Sequence, residues 1–310
     1  MSRVAKHTDA LSALLLDKSL DAEIAYDEPL SSHTIYGIGG PADYFIVANS
    51  IASLQGVLRA ANATNTDWFL LGKGSNILVS DNGFRGVIIT LGRDFRKIAV
   101  DDETFVCTVG AGVSLGHLTQ EAFSKPLKGL EFSVGIPGSV GGALYMNAGS
   151  RNSWIGERVR SITYLDINDN FNMKKIPARE INWEYRSSSL SELGIAIECE
   201  LQLEKDATGQ SKASMEEYLK KRNASQPNGR SCGSVFKNPP NESVGKLIED
   251  AGLKGRKVGG ACISDIHANF IINEGSASAN DVLALINLIK STIAEKYNIE
   301  LECEVRMLGF

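Results

Sequence analysis

The sequence predicts an α+β protein of two or three domains, and three observations carry that reading. From about residue 42 to 204, short β-type runs alternate with glycine-rich turns. Past residue 207 the apolar spacing becomes helical, and "EKDATGQSKAS" (204–214), polar and without aliphatics larger than alanine, separates the two regimes. The chain has 310 residues, 43% apolar and 22% charged, enough to bury a substantial core.

Taken in order, the first element is "LSALLL", which imitates a signal peptide behind Arg3 and Lys6. Asp9 and Asp17 bracket it and no small-residue cleavage site follows, so a short amphipathic helix with Leu11, Leu14 and Leu15 on one side is expected. No run approaches the ~18 apolar residues of a membrane span, and a soluble, unsecreted, cytoplasmic protein is expected. Strands are predicted at "DYFIVAN", "DWFLLGKG", "GVIITL", "KIAV", "TFVCTVGAG", "SITYLDI" and "GIAIECELQLE". In the last, Ile195, Ile197, Cys199, Leu201 and Leu203 alternate with Glu198, Glu200, Gln202 and Glu204, which describes a strand with one wet face. Helices interrupt the run near 114–124 and 139–147.

Beyond the boundary come a helix ending in "YLKKRN" and another at "ESVGKLIEDAGL", stopped by Gly252. Two β-type stretches follow, "KVGGACIS" and "ANFIIN". A long helix over 279–296 then places Val282, Leu285, Ile286, Ile289 and Ile293 on one stripe, with Ser278 and Asp281 in capping-box spacing. A strand, "ELECEVRML", closes the chain. The expected division is 1–206 and 207–310.

Composition excludes several functions. A formal charge of −5 disfavours nucleic acid or an anionic membrane as the main partner, so an anionic ligand must be held by a local patch. Cys107, Cys199, Cys232, Cys262 and Cys303 are odd in number and far apart, which suits a reducing compartment and neither a disulfide framework nor zinc. His7, His33, His117 and His267 include no i, i+4 pair, and no metal is expected.

Four features carry chemistry, the first being a pair of glycine-rich loops. "GKGSN" (72–76) and "GIPGSVGGALYMNAG" (135–149) each follow a strand, and the second places Gly138, Ser139, Gly141 and Gly142 at a helix entrance. Such glycines let backbone N–H groups approach a pyrophosphate, and the pair of loops suits one dinucleotide. Neither loop has Walker or G-x-G-x-x-G spacing, so a fold other than Rossmann is indicated; a single such loop would be read only as a tight turn.

The second stretch is 219–240, where Lys220, Lys221, Arg222, Arg230 and Lys237 occur without a carboxylate. Lys220 and Lys221 are explained by a helix C-terminus, whereas Arg230 and Lys237 lie beyond it. Within it, "RSCGSVFKNPP" sets the lone hydroxyl of Ser234 between two cations. Third, "WEYRSSSL" presents Arg186, a fork for a carboxylate or a plain surface residue. Last, "LECEVRML" aligns Glu302, Glu304 and Arg306 on one strand face, with Glu302 read as solvent-facing and a cleft-facing Glu304 as either an acid or a group that orients substrate.

In this order and spacing, "GKGSN", "GIPGSVGGALYMNAG", "YRSSS", "GSVFKNP", "AGLKG", "HANFIIN" and "EVRMLG" resemble the UDP-N-acetylenolpyruvoylglucosamine reductase family, flavoenzymes that complete UDP-N-acetylmuramate for peptidoglycan. The resemblance runs from about His33 to Gly309. It implies an FAD-binding domain of vanillyl-alcohol-oxidase type, in two subdomains, then a C-terminal α/β substrate domain whose last strand returns toward the flavin cleft. FAD and NADPH are the implied cofactors, UDP-N-acetylglucosamine enolpyruvate the substrate, and a monomer the expected state.

By the same resemblance Ser234 is the proton donor, Arg186 the carboxylate clamp and Glu304 an acid partner. Gly72, Lys73, Gly74, Ser75 and Asn76 hold FAD together with Ile136, Pro137, Gly138, Ser139, Gly141, Gly142 and Ala143. Arg222 belongs to the cofactor side, and Lys237, Asn238 and Arg230 to the substrate side. Two departures stand out: Cys232 occupies a position where the family pattern has a small alanine-like residue, and "NAGSRNSWIGE" lacks the usual aromatic-glycine continuation. The short span after Arg230 places the chain in the shorter branch of the family. An oxidase on the same flavin fold and a non-catalytic nucleotide-sugar-binding protein are the alternatives.

Overall fold

Where hydrophobicity alternates with period two, the chain forms sheet. The computed structural model describes residues 10–15, 20–150 and 153–310. In strand Gly194–Gln202, Ile195, Ile197, Cys199 and Leu201 are buried. This strand is the centre of a five-stranded antiparallel sheet ordered Asn172–Pro177, Val159–Asp166, Gly194–Gln202, Val106–Gly110, Ile98–Val100. A four-stranded sheet runs Ala22–Pro29, Pro41–Ala48, Phe84–Leu91, Trp68–Leu70, its last pair parallel.

The helices form where caps and spacing agree. Ser114 accepts from the His117 amide at the start of Leu115–Ser124, and Ser278 and Asp281 close a reciprocal capping box on Ala279–Tyr297. Val282, Leu285, Ile286, Ile289 and Ile293 are all buried, each contributing roughly 1.5–3 kcal/mol relative to exposure. Gly252, at φ +77°, ends Val244–Asp250 in a Schellman motif: its amide donates to Glu249 O at 2.8 Å, and Leu253 N to Ile248 O at 3.2 Å.

Other elements differ from expectation. Helix Ile51–Ala63 was not predicted, although Ile51, Leu54, Val57, Leu58 and Ala61 recur at helical spacing; interspersed Ala, Ser and Gly dilute the stripe. Strands Ala22–Pro29, Ile77–Val79 and Asn172–Pro177 also lacked a clear signal, the last being an exposed edge rich in polar side chains. In the N-terminal helix, Ala10–Leu15, Leu11 and Leu15 are buried but Leu14 is 47% exposed. Arg3, Lys6, Asp9 and Asp17 lie outside the described residues. The predicted final strand shrinks to Arg306–Leu308, which pairs in parallel with Ile77–Val79.

The chain folds as two compact units that a single cut at 206/207 does not separate. The first comprises the described residues up to Tyr26, with Asp43–Gly72 and Gly86–Lys220; the second gathers Asp27–Ala42, Lys73–Arg85 and Lys221–Phe310. Each has its own apolar core. The second unit recruits distant segments because their polar groups find partners only there: the buried Tyr36 hydroxyl donates to Ile271 O at 2.9 Å, and Asn273 Nδ2 to Tyr36 O at 2.9 Å. Asp81 accepts the Ala279 and Asn280 amides at the start of the long helix.

Inside the predicted boundary segment, Asp206 starts helix Gln210–Ser225. Its carboxylate accepts the Ser211 hydroxyl, the Ser211 amide at 2.9 Å and the Thr208 amide at 3.2 Å. The Ser211 bonds, then those from Thr208, hold its pKa far below the ordinary carboxylate range. A folded-state pKa lowered in this way gives stability above pH about 4, lost as the pH falls further. Asp206→Ala is therefore expected to lower Tm at pH 7 and to expose the Gln210–Ser225 amides to hydrogen exchange, with the Tm difference from wild type shrinking below pH about 4.

Candidate active site

In the first unit the two glycine-rich stretches meet at Ser139. A β-carbon on Gly72 would stand 2.6 Å from Ser139 Oγ. That hydroxyl caps helix Val140–Tyr145, accepting the Gly142 amide at 3.2 Å. Gly138 takes φ +145°, and its carbonyl accepts Leu115 N at 2.9 Å. Gly72 and Gly142 are both exposed, so bare main chain lies on either side of Ser139. A flat or phosphate-bearing group can lie close against such a surface.

One expectation is corrected here. The amides of Val140, Gly141 and Gly142 do not point outward as phosphate donors; they donate to Val113 O at 2.8 Å, Ala111 O at 2.9 Å and Ser139 Oγ. Gly141 serves close packing instead, since a β-carbon there would lie 3.1 Å from Ala111 Cβ. Ile136 N donates to Ser133 O at 3.0 Å, Pro137 is exposed and Ala143 is buried.

Arg186 sits at the tip of a hairpin whose strands pair Trp183 with Ser188 and Glu184 with Ser187. Its backbone is left-handed, φ +59°, an uncommon state for a residue with a side chain. The guanidinium lies 5.1 Å from the Tyr185 ring centroid, and Nη1 approaches Gly149 O at 3.4 Å. Two buried side chains tie this hairpin to the glycine-rich stretch. Ser188 Oγ donates to Leu144 O at 2.9 Å; Asn147 Nδ2 donates to Glu184 O at 3.0 Å while its Oδ1 accepts Gly156 N at 3.2 Å. Of the divergent 150–156 loop, residues 151 and 152 lie outside the described residues.

The second unit holds the rest of "GKGSN". Lys73 is exposed and Ser75 half-buried. Gly74, at φ +59°, is a position where any β-carbon would overlap the His33 carbonyl oxygen. Asn76 Nδ2 donates to Glu304 O at 3.0 Å, and Asn76 O accepts Arg306 N at 3.1 Å, so this residue also anchors the final segment.

Ser234 follows Gly233, whose φ is +78°. Past it, Phe236 bridges antiparallel to Cys303; Glu304 N donates to Val235 O at 2.8 Å and Lys237 N to Glu302 O at 2.9 Å. This pairing sets the segments of Ser234 and Glu304 side by side. Lys237 lacks a carboxylate in its own sequence neighbourhood but finds Glu302 through the fold, Nζ to Oε1 at 2.6 Å. Glu302 is thus ion-paired as well as solvent-facing.

The remaining residues fall as follows. Arg230 is exposed; its carbonyl accepts Asn273 N at 2.9 Å, and its guanidinium lies against Gly37, whose φ of +66° is the left-handed state that favours glycine. Asn238 Oδ1 accepts the Val244 amide at 3.1 Å, beside the start of Val244–Asp250. Arg222 lies in the last turn of Gln210–Ser225. Cys232 is buried with Sγ 2.9 Å from Ile77 O, and burial pushes its thiol well above the usual range, the state of a small packing residue rather than a nucleophile. Among the described residues no group of three His, Cys, Asp or Glu could hold a metal, and no helix is long and apolar enough to cross a membrane.

Residues 42–169 match the FAD binding domain profile, and 225–308 match the C-terminal domain of UDP-N-acetylenolpyruvoylglucosamine reductase. The reductase of that name from Bacillus licheniformis is 41% identical over 93% of this chain and 94% of its own length; the one from Bacillus subtilis is 40% identical over 93% and 94%. The crystal structure of the Thermus caldophilus enzyme superposes with a TM-score of 0.78 at 35% identity, covering 93% of this chain and 98% of that one. The chain belongs to the UDP-N-acetylenolpyruvoylglucosamine reductase family.

As a member of this family it is an FAD-dependent oxidoreductase, and its α+β fold is that of the family's FAD-binding and C-terminal domains. The FAD-binding match includes both Gly72 and the 135–149 stretch. The backbone about Ser139 fits a flat or phosphate-bearing cofactor: it is held by internal hydrogen bonds and is exposed at Gly72 and Gly142, where no side chain intervenes. Asn147 and Ser188, which tie the Arg186 hairpin to the glycine-rich stretch, were missed, as was Asn269, whose side chain bonds the Phe236 backbone. Each is a small polar residue within a quoted motif, "NAG", "YRSSS" or "HANFIIN", and a buried polar side chain must be paired.

Gly72→Ala is expected to displace the Ser139 hydroxyl and break its cap on Gly142. Loss of about 1.4 kcal/mol of preorganisation corresponds to roughly tenfold weaker FAD binding, read from the flavin-to-protein absorbance ratio on dilution.

Proposed function

We propose that this chain catalyses NADPH-dependent, FAD-mediated reduction of UDP-N-acetylglucosamine enolpyruvate to UDP-N-acetylmuramate in peptidoglycan precursor synthesis, as a cytoplasmic monomer. Family membership over nearly the whole chain supports the reaction class. The observation that carries the mechanism is the main-chain pairing that aligns the Ser234 segment with Glu304.

FAD, when bound by these loops, would supply hydride chemistry at flavin N5 toward the enolpyruvyl carbon remote from the ether oxygen, with NADPH as the reductant. The adjacent carbon then carries an electron pair delocalised into the carboxylate, and the protein must stabilise that charge and deliver a proton. Ser234 donates its hydroxyl proton to this carbon. Hydride and proton together account for the two electrons and two hydrogens added across C=C. An alcohol is a weak acid, but the carbanion it protonates is far more basic.

Arg186 grips the substrate carboxylate through its fork, which stays charged at any working pH. Its left-handed backbone and the Ser188 and Asn147 bonds present that fork from a rigid hairpin. Glu304, as a protonated acid, hydrogen-bonds the carboxylate or another part of the intermediate. Lys237, Asn238 and Arg230 hold the substrate. Lys73, Gly74, Ser75, Asn76, Ile136–Ala143 and Arg222 hold the FAD with Gly72.

Anaerobic mixing with NADPH, followed by the enolpyruvate, separates the two half-reactions. Ser234→Ala is expected to bleach the flavin at the wild-type rate, within about twofold, while turnover falls by at least about 10²-fold. Wild-type turnover by this variant would remove Ser234 from the mechanism.

A further inference from the structure

The segment carrying Ser234 is held on one side by the 302–305 run through the Phe236–Cys303 bridge, and among the described residues no strand pairs with its opposite side. A single side chain takes that place. Asn269, 3% exposed, accepts the Phe236 amide through Oδ1 at 3.0 Å and donates through Nδ2 to the Phe236 carbonyl at 2.8 Å. Its own carbonyl accepts Val235 N at 2.8 Å. One carboxamide thus reproduces the two-bond pattern that a neighbouring strand would offer a residue, two positions after the serine.

Asn269 is itself fixed. Its amide donates to His267 Nδ1 at 3.2 Å, which makes that nitrogen the acceptor, and burial lowers the His267 pKa, favouring the neutral ring this bond requires. Ser264 Oγ accepts the Ile266 and His267 amides, and Ser264 N donates to Phe270 O at 2.9 Å, closing the turn. We infer that Asn269 is a positioning residue for proton delivery, setting the Ser234 hydroxyl through the Val235–Phe236 backbone while touching neither substrate nor cofactor. This deepens the reading of Ser234 as proton donor and rests on it.

The test is a double-mutant cycle on the FAD-loaded enzyme with Ser234→Ala, Asn269→Ala and the double variant. Asn269→Ala is expected to keep its flavin and to bleach with NADPH within about twofold of wild type. Amide exchange at Val235–Lys237 rises, and turnover with the enolpyruvate falls about 10²-fold, the scale of a small misplacement of a reacting group. In the Ser234→Ala background the same change costs less than about twofold, because the group it positions is already gone. Should Asn269→Ala not fold, Asn269→Asp carries the same comparison; it keeps an acceptor for Phe236 N and loses the donor to Phe236 O.

Unchanged turnover despite raised exchange at Val235–Lys237, or an undiminished loss in the Ser234→Ala background, overturns the inference while leaving Ser234 in place. Wild-type turnover by Ser234→Ala alone overturns the donor reading beneath it.

Discussion

The second unit depends on one constraint: the main chain around Ser234 must be paired on both sides although neither side offers a regular strand, only the Phe236–Cys303 bridge on one of them. Buried N–H and C=O groups without partners are costly, and residues 235–237 are largely buried. The 302–305 run satisfies one side; the Asn269 carboxamide satisfies the other. Because all partners are themselves tied, Asn76 to Glu304 and His267 to Asn269, the segment has little freedom to shift. A hydroxyl that must meet one carbon of a substrate gains from such rigidity.

The first unit solves a related problem with glycine. At Gly72 a β-carbon would crowd the Ser139 hydroxyl from its capping position, and the amides at 140–142 are spent on internal bonds. The loop is therefore preorganised and still presents bare backbone. Arg186 draws on the same framework, since Ser188 and Asn147 fasten its hairpin to the helix that the glycines begin.

Much of this was legible in residue order. Period-two alternation at 195–203 and the capping box before the long helix report local geometry, and local geometry is what neighbouring residues encode. Lys237 shows the limit: its lack of a nearby carboxylate read as a site for anions, whereas Glu302, brought opposite by the strand-like pairing, sits 2.6 Å away. Asn238 and Asn76 likewise hold backbone in this fold, as well as belonging to motifs read as ligand contacts.

By itself the sequence determined the α+β class, most regular elements, the two glycine-rich loops and the motifs that mark the family, because each resides in adjacent residues or fixed spacing. The tertiary structure alone decided that 27–42 and 73–85 fold with the C-terminal unit, that the glycine amide at 141 bonds inward to Ala111, and that Asn269 pairs the Phe236 backbone. Those are partnerships across tens to hundreds of residues. They follow from the need to pair every buried polar group, a condition that only the closed fold can satisfy.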